Sequence, residues 1–313
     1  MSGNVVVQFG NVTRRYGPVL GLNDVSLEIR PGITGLVGPN GAGKTTFLNL
    51  VVGLHYPSSG DVKVFGSSPF TDAEVRRRVG YCPDGEATWD WMDGLTFVTT
   101  LGIWTGLKPE VADQRARELM DALEMNDALN KRISEYSRGM RQKVKVAQAI
   151  IHQPELLILD EPLNGVDPLS RHQILVMLER EAARGVTVVV SSHVLHELGE
   201  FVDEVLLLQR GRLLASGPVD SIRDLLDEHP HSVRVICREP RRLATALLGL
   251  EGTVSAMLLE DGDGLEVRTR EPALFYSRLP EVILNQKVSV SEVYATDNDL
   301  ESVFKYLVKG GGG

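Results

Sequence analysis

Gly38-Pro-Asn-Gly-Ala-Gly-Lys44-Thr45 follows the apolar run Gly35-Leu-Val37 and leads into a stretch of helical character from Gly43 to about Val52. The glycines let the backbone curl so that successive N–H groups point inward, and the following helix adds the positive end of its dipole. A phosphate chain is the ligand that such a cradle suits. Lys44 would reach the β- and γ-phosphates of a nucleotide, and the Thr45 hydroxyl would hold Mg²⁺. Four defined positions arise by chance in roughly one chain per hundred at ordinary residue frequencies. Here the strand-loop-helix context that gives the pattern its meaning is also present.

Further along, Leu156-Leu-Ile-Leu-Asp160-Glu161 is an apolar strand ending in two adjacent acids. An upstream phosphate loop gives such acids a task, because these folds hold Mg²⁺ with a carboxylate at a neighbouring strand end. Asp160 suits that role. Glu161 stands where it could polarise an attacking water, general-base work worth about 10²–10⁴ in rate. His193 closes Val-Val-Val-Ser-Ser-His at the end of the next strand, on the carboxyl edge where ligands of open α/β sheets bind. That placement points to a γ-phosphate contact.

Around these motifs, Val5–Phe9, Val25–Ile29 and Asp61–Phe65 are short β-rich runs, and Gly94 to about Ile151 reads as mainly helical. Next come Leu156–Leu159, a helix over Pro168–Ala183, Val186–Val190, a helix near Leu195–Glu200 and Glu204–Leu208. This alternation argues for a parallel sheet buried on both faces. From Pro218–Pro230 the pattern changes to strand, helix, strand, strand, helix, strand over Ser232–Val293, and a terminal helix runs through Leu300–Leu307. That order fits a small ferredoxin-like unit. We expect an N-terminal domain over 1–225, an accessory α+β domain over 231–308, and a disordered tail over 309–313 that includes Gly310–Gly313. The acidic run Glu260-Asp-Gly-Asp-Gly264 reads as a hairpin turn rather than a Ca²⁺ site, since it lacks the distal ligand pattern.

Composition narrows the classes. A net charge of −9 over 313 residues argues against a nucleic-acid binder, which usually carries a basic excess. The two cysteines, Cys82 and Cys237, form neither a disulfide framework nor a metal-ligand spacing. Met1–Gln8 has no signal-peptide character, and no apolar run approaches the roughly 20 residues needed to span a bilayer. A soluble, cytosolic chain is expected.

Tyr136-Ser-Arg-Gly-Met-Arg-Gln142 precedes a helix running to about Ile151, and Ser137 reads as its N-cap, with free amides behind it for an anion. With this segment, the whole order of motifs from about Val5 to Gly217 resembles the ABC ATPase family. The resemblance implies an α/β P-loop NTPase cassette with a RecA-like core, an antiparallel β subdomain and a helical subdomain. By similarity Tyr16 stacks on adenine, and ATP is bound by Gly38, Asn40, Gly41, Gly43, Lys44, Thr45 and Thr46. It also makes Asp160 the Walker B acid, Glu161 the catalytic glutamate and His193 the switch histidine. Leu163-Asn-Gly-Val-Asp167 resembles the loop that communicates across a dimer. The family implies two subunits packed head to tail, each ATP held between one P-loop and the partner's Ser137–Gly139, with Mg²⁺ on Thr45 and Asp160. It further implies a separate transmembrane permease, ATP hydrolysis coupled to transport, and a place on the inner face of the cell membrane. The signature variant points to export. The contrasting reading is a regulatory subunit that binds ATP and gates a membrane complex with little hydrolysis.

Two positions depart from the family pattern. Gly80-Tyr-Cys-Pro-Asp84 has aspartate where glutamine is usual; it could bind Mg²⁺, but it adds negative charge beside Asp160 and Glu161. Arg138 replaces a glycine and puts a cation toward a γ-phosphate. Trp89-Asp-Trp-Met92 either packs the helical subdomain or opens an aromatic groove for a cytosolic helix of the permease.

Overall fold

The computed structural model describes residues 5–85, 87–194, 198, 201–219, 221, 231–259 and 262–295. The chain divides into two compact units, Met1–Val219 and Asp220–Gly313.

The first unit is organised by a six-stranded sheet built from β3 (Ile33–Val37), β5 (Val79–Cys82), β6 (Leu156–Leu159), β7 (Thr187–Ser192), β8 (Glu204–Gln209) and β9 (Arg212–Pro218). Their order is β5-β6-β7-β3-β8-β9, parallel throughout except for the antiparallel edge strand β9. Every residue of β3, β6 and β7 is buried, which is why these strands read as unbroken apolar runs rather than alternating ones. A second, antiparallel sheet holds β1 (Val7–Tyr16), β2 (Val19–Ile29) and β4 (Ser59–Val64) in the order β2-β1-β4. Helix α1 (Lys44–Val51) lies in a core shared by the two sheets, in which Phe47 and Leu48 join Val7, Phe9 and Val25 on one side and Leu36, Ile158 and Val189 on the other. Phe9 and Phe47 stack with ring centroids 4.4 Å apart.

After the short helix α2 (Ala73–Arg77) come α3 (Gly94–Trp104), α4 (Pro109–Ala122), two 3₁₀ turns, α5 (Arg138–Ile150) and, beyond β6, α6 (Pro168–Ala183). Each chain entry is fixed by a capping side chain where one is available. Asp93 accepts from Thr96 N at 2.8 Å, Ser137 from Met140 N at 3.2 Å and Asp167 from Ser170 N at 2.9 Å. The first two strands extend well beyond the runs expected from sequence. Their outer halves, including Arg14 and Arg15, are polar and pair through register shifts, so they carry little apolar signal. Strands β5 and β9 carry no distinct apolar run of their own.

The second unit contains β10 (His231–Cys237), α7 (Pro240–Leu247), β11 (Thr253–Leu258), β12 (Gly264–Thr269), α8 (Pro272–Gln286) and β13 (Val290–Ala295). Its antiparallel sheet has the order β11-β12-β10-β13, so each strand–helix–strand crossover straddles one inserted strand. Val233, Val235, Leu265 and Val267 form its core with Leu243, Leu247, Phe275 and Leu279. Leu259 N donates to Gly264 O at 3.0 Å between β11 and β12, and Gly262 has φ +74°; positions 260 and 261 of the expected hairpin turn lie outside the described residues. The helix expected near 195–200 falls largely outside the described residues. The terminal helix through 300–307 and the glycine tail lie outside them entirely. No helix among the described residues is long and apolar enough to cross a membrane.

Candidate functional site

Sheet order decides which loops meet. Because β3 lies beside β7 and β7 beside β6, the segments that leave their carboxyl ends converge: Gly38–Lys44, Asp160-Glu161 and His193. The loop after β3 needs glycine for steric reasons. A Cβ on Gly38 would strike Leu208 O, and one on Gly43, at φ +107°, would strike Gly21 O. Gly43 precedes α1 with no side-chain cap, so the amides of the first helical turn keep no side-chain acceptor. Lys44 is 6% exposed. Its Nζ donates to Gly38 O at 2.6 Å and Pro39 O at 3.3 Å, and pairs with Glu161 Oε1 at 3.1 Å.

Glu161 is held from three sides. Its backbone adopts φ +46°, rare for a residue with a side chain. Its N–H donates to Ser191 Oγ at 2.8 Å, and its Oε2 lies 2.9 Å from His193 Nδ1. Ser191 Oγ in turn donates to Asp160 Oδ1 at 2.7 Å, so one hydroxyl orients both acids. Asp160 is 1% exposed. Burial pushes its carboxyl above the usual carboxylate range, against the hydroxyls of Ser191 and Thr45, while the charges of Asp84 and Glu161 push it further. Asp160 Oδ2 is buried and has no partner of hydrogen-bond geometry, although the Thr45 hydroxyl stands near enough to favour the ionised form. A buried carboxylate oxygen without a donor beside a hydroxyl suits a hard, oxygen-seeking cation such as Mg²⁺. Asp84 belongs to the same acidic edge, and its Oδ1 accepts from Gly85 N at 2.8 Å.

Tyr16 is half-exposed, with Arg14 Cζ 4.6 Å from its ring centroid and His55 against its edge. Tyr16 and Thr46 both lie against Gly21, where a Cβ would come within 2.9 Å of each. Asn40 is exposed in the loop.

The signature segment packs on the start of α6, while its Tyr136 and Arg138 share a cleft with Asp84 and Glu161. A Cβ on Gly139 would strike Ser170 Oγ and come within 2.5 Å of Asp167 Oδ2, and Asp167 caps α6. Hydrogen bonding to Ser170 holds the Asp167 carboxyl below its usual range. The Arg138 guanidinium covers Gly165 of the same chain. Among the described residues, no hydrogen bond or ion pair joins Ser137 or Gly139 to the Gly38–Thr46 loop. Contacts join Lys44, Thr45, Asp160, Glu161 and His193 in one group and Gly139, Asp167 and Ser170 in another, and Arg138 and Glu161 line a cleft in common.

The family model described as ABC transporter matches residues 22–164. A relative, the ABC transporter ATP-binding protein YhcH of Bacillus subtilis (strain 168), is 30% identical over 307 residues, covering 96% of this chain and 94% of that one. The chain belongs to the ABC transporter ATP-binding family. The ABC transporter ATP-binding protein YxlF of the same organism is 37% identical over 188 residues, which cover 60% of this chain and 62% of that relative's length. The daunorubicin/doxorubicin resistance ATP-binding protein DrrA of Streptomyces peucetius is 28% identical, over 96% of this chain and 92% of that one. Among solved structures, an ATP-binding subunit of an ABC transporter aligns with TM-score 0.64 and 27% identity, covering 71% of this chain and 93% of that one.

Within this ABC cassette, Ser191 is the site residue that the motif reading missed. Its only sequence signal is a hydroxyl directly after the apolar Val188–Val190 run, two places before His193. The tryptophans form one cluster. Trp89 packs on Phe97 at 5.5 Å and on Trp104 at 5.2 Å, while Trp91 stacks on Trp89 at 6.4 Å. Trp89 is partly buried, but Trp91 and Trp104 are 70% and 69% exposed, so the cluster both packs the helical region and presents an aromatic surface.

Proposed function

We propose that this chain binds Mg-ATP at the carboxyl edge of its parallel sheet, hydrolyses it with Glu161 as the base, and powers export through a separate permease. The observation that carries this reading is the contact chain from Lys44 through Glu161 to His193, drawn from three strand ends. Before nucleotide arrives, Lys44 is occupied by Glu161 and two loop carbonyls. A triphosphate is the stronger partner for an ammonium in that cradle, so its binding draws Lys44 away and frees Glu161 to accept a proton from water. His193 then faces the γ-phosphate from the other side of Glu161. Magnesium, when bound, supplies charge neutralisation of the phosphate oxygens, and Thr45, Asp160 and Asp84 are the residues that would hold it.

In this reading two copies pack head to tail. Ser137 and Gly139 of one copy, at the positive end of α5, complete the nucleotide site of the other, and Asp167 links the two sites. Tyr16 stacks on the adenine. Trp91 and Trp104 receive a permease helix, which relates dimer closure to the pore. A relative named Nod factor export ATP-binding protein I, of Burkholderia lata, supports the export direction. Phosphate release by wild type and Glu161→Gln tests the assignment. A fall of about 10²–10⁴ is the expected outcome, and equal rates would remove Glu161 from the mechanism.

A further inference from the structure

We propose that Lys145 is a positioning residue that holds the Asp84–Gly85 turn and balances its charge. A lysine ammonium withdrawn from water is costly unless both its donors and its charge find partners. Lys145 is 5% exposed on α5, and its Nζ donates to Gly85 O at 2.7 Å and to Gln142 Oε1 at 3.2 Å. Both partners are neutral, so they satisfy donors without matching the charge.

The acidic edge shares a cleft with that charge without a direct ion pair to it. Asp84, Gly85, Gln142, Lys145 and Glu161 line one cleft of about 380 Å³. Cys82 is buried beside this edge: burial pushes its thiol up to about 12, Lys145 lowers it, and Asp160 and then Asp84 raise it. The turn that Lys145 grips is the one that carries Asp84: Gly85 has φ +79° and donates its N–H to Asp84 Oδ1.

Lys145 is also the middle of three clasps spaced three residues apart on α5. Gln142 reaches Cys82 Sγ at 3.5 Å, and Gln148 reaches Tyr81 O at 2.7 Å. The outer two hold the Tyr81–Cys82 strand with neutral amides. A cation is placed only where the chain turns into an aspartate and approaches Asp160 and Glu161. A neutral side chain could fix the backbone there, but it would leave the three carboxylates to Lys44 and to Arg138 and Arg141, which line the same cleft.

The coupling belongs to the nucleotide-free chain, and only its consequence for Mg²⁺ rests on the function proposed above. The test is a double-mutant cycle on the full chain with Lys145→Met and Asp84→Asn, read first as Tm without nucleotide or metal. Lys145→Met is expected to lower Tm by a few degrees, and by less than half as much when Asp84 is already Asn. Lys145→Gln, which keeps a donor for Gly85 O, is expected to show the same dependence on Asp84, so the cycle survives if the methionine variant does not fold. An equal loss of Tm in both backgrounds would overturn the proposal. The second reading is the Mg²⁺ concentration for half-maximal ATP hydrolysis. It is expected to rise about threefold or more in Lys145→Met and to fall back in the double variant. If the Tm values couple while the Mg²⁺ requirement stays fixed in every variant, the Lys145 role stands and the metal role of Asp84 fails.

Discussion

At the residue scale the site is a small set of charges placed where folding alone would not choose to put them. Asp160 shows the cost most clearly. Its carboxyl is raised above the ordinary range chiefly by burial, so folding favours the protonated form. The stability linked to that proton is therefore full below the unfolded value of about 3.9 and is lost as pH rises through the folded value. It follows that Asp160→Asn raises the Tm of the nucleotide-free protein at neutral pH, with the gain vanishing in acid, while Mg²⁺-dependent hydrolysis is abolished. Thermal melts across pH, paired with phosphate release, check both halves. The same tension holds at Glu161, whose φ of +46° is retained because Ser191 and His193 hold it there. Ser191→Ala removes the donor to Asp160 and the acceptor for Glu161 N–H at once. We expect at least a tenfold loss of kcat for this variant, with a smaller change in KM for ATP. Lys44, Asp160 and His193 are legible in sequence because each belongs to a short local pattern at a strand end. Ser191 and Lys145 are not, because their partners lie 31 and 60 positions away and only the sheet order brings them close.

At the element scale the glycine positions and the helix starts do most of the specifying. Gly43 must be glycine both for its φ and for its approach to Gly21 O, so Gly43→Ala is expected to distort the loop and to abolish nucleotide binding even where the fold survives. Titration with a fluorescent ATP analogue reads this directly. The helix over Pro168–Ala183 is readable to the residue, since Asp167 supplies the cap and Pro168 the first position. The strands of the antiparallel sheet are less so. Their outer halves bury few side chains and bend through irregular register, leaving no alternation to read. The aromatic cluster illustrates a second limit. Trp89 and Trp91 are neighbours in sequence, but Trp104 joins them only because α3 returns its far end beside the loop that precedes it. For Trp91→Ala with Trp104→Ala we expect little change in Tm or in ATP hydrolysis by the isolated chain, because both rings are exposed. Co-purification with the permease is expected to fall. Loss of hydrolysis in the isolated, folded variant would argue instead that the rings act within the cassette.

At the scale of the whole molecule, Tyr136 and Arg138 of the signature segment share a cleft with Glu161, yet among the described residues no hydrogen bond or ion pair joins Ser137 or Gly139 to the Gly38–Thr46 loop. The Lys44 cluster and the Ser137 cluster each lack what the other has, a phosphate cradle on one side and a capped helix end with a covering cation on the other. That division is a property of the sheet and helix order, and no single motif reveals it. The account therefore turns on association. Glu161→Gln protein saturated with Mg-ATP should have its mass measured by light scattering. We predict twice the monomer's mass with ATP and the monomer's mass without it. A monomer that binds ATP yet stays single, both alone and beside its membrane partner, would contradict the account.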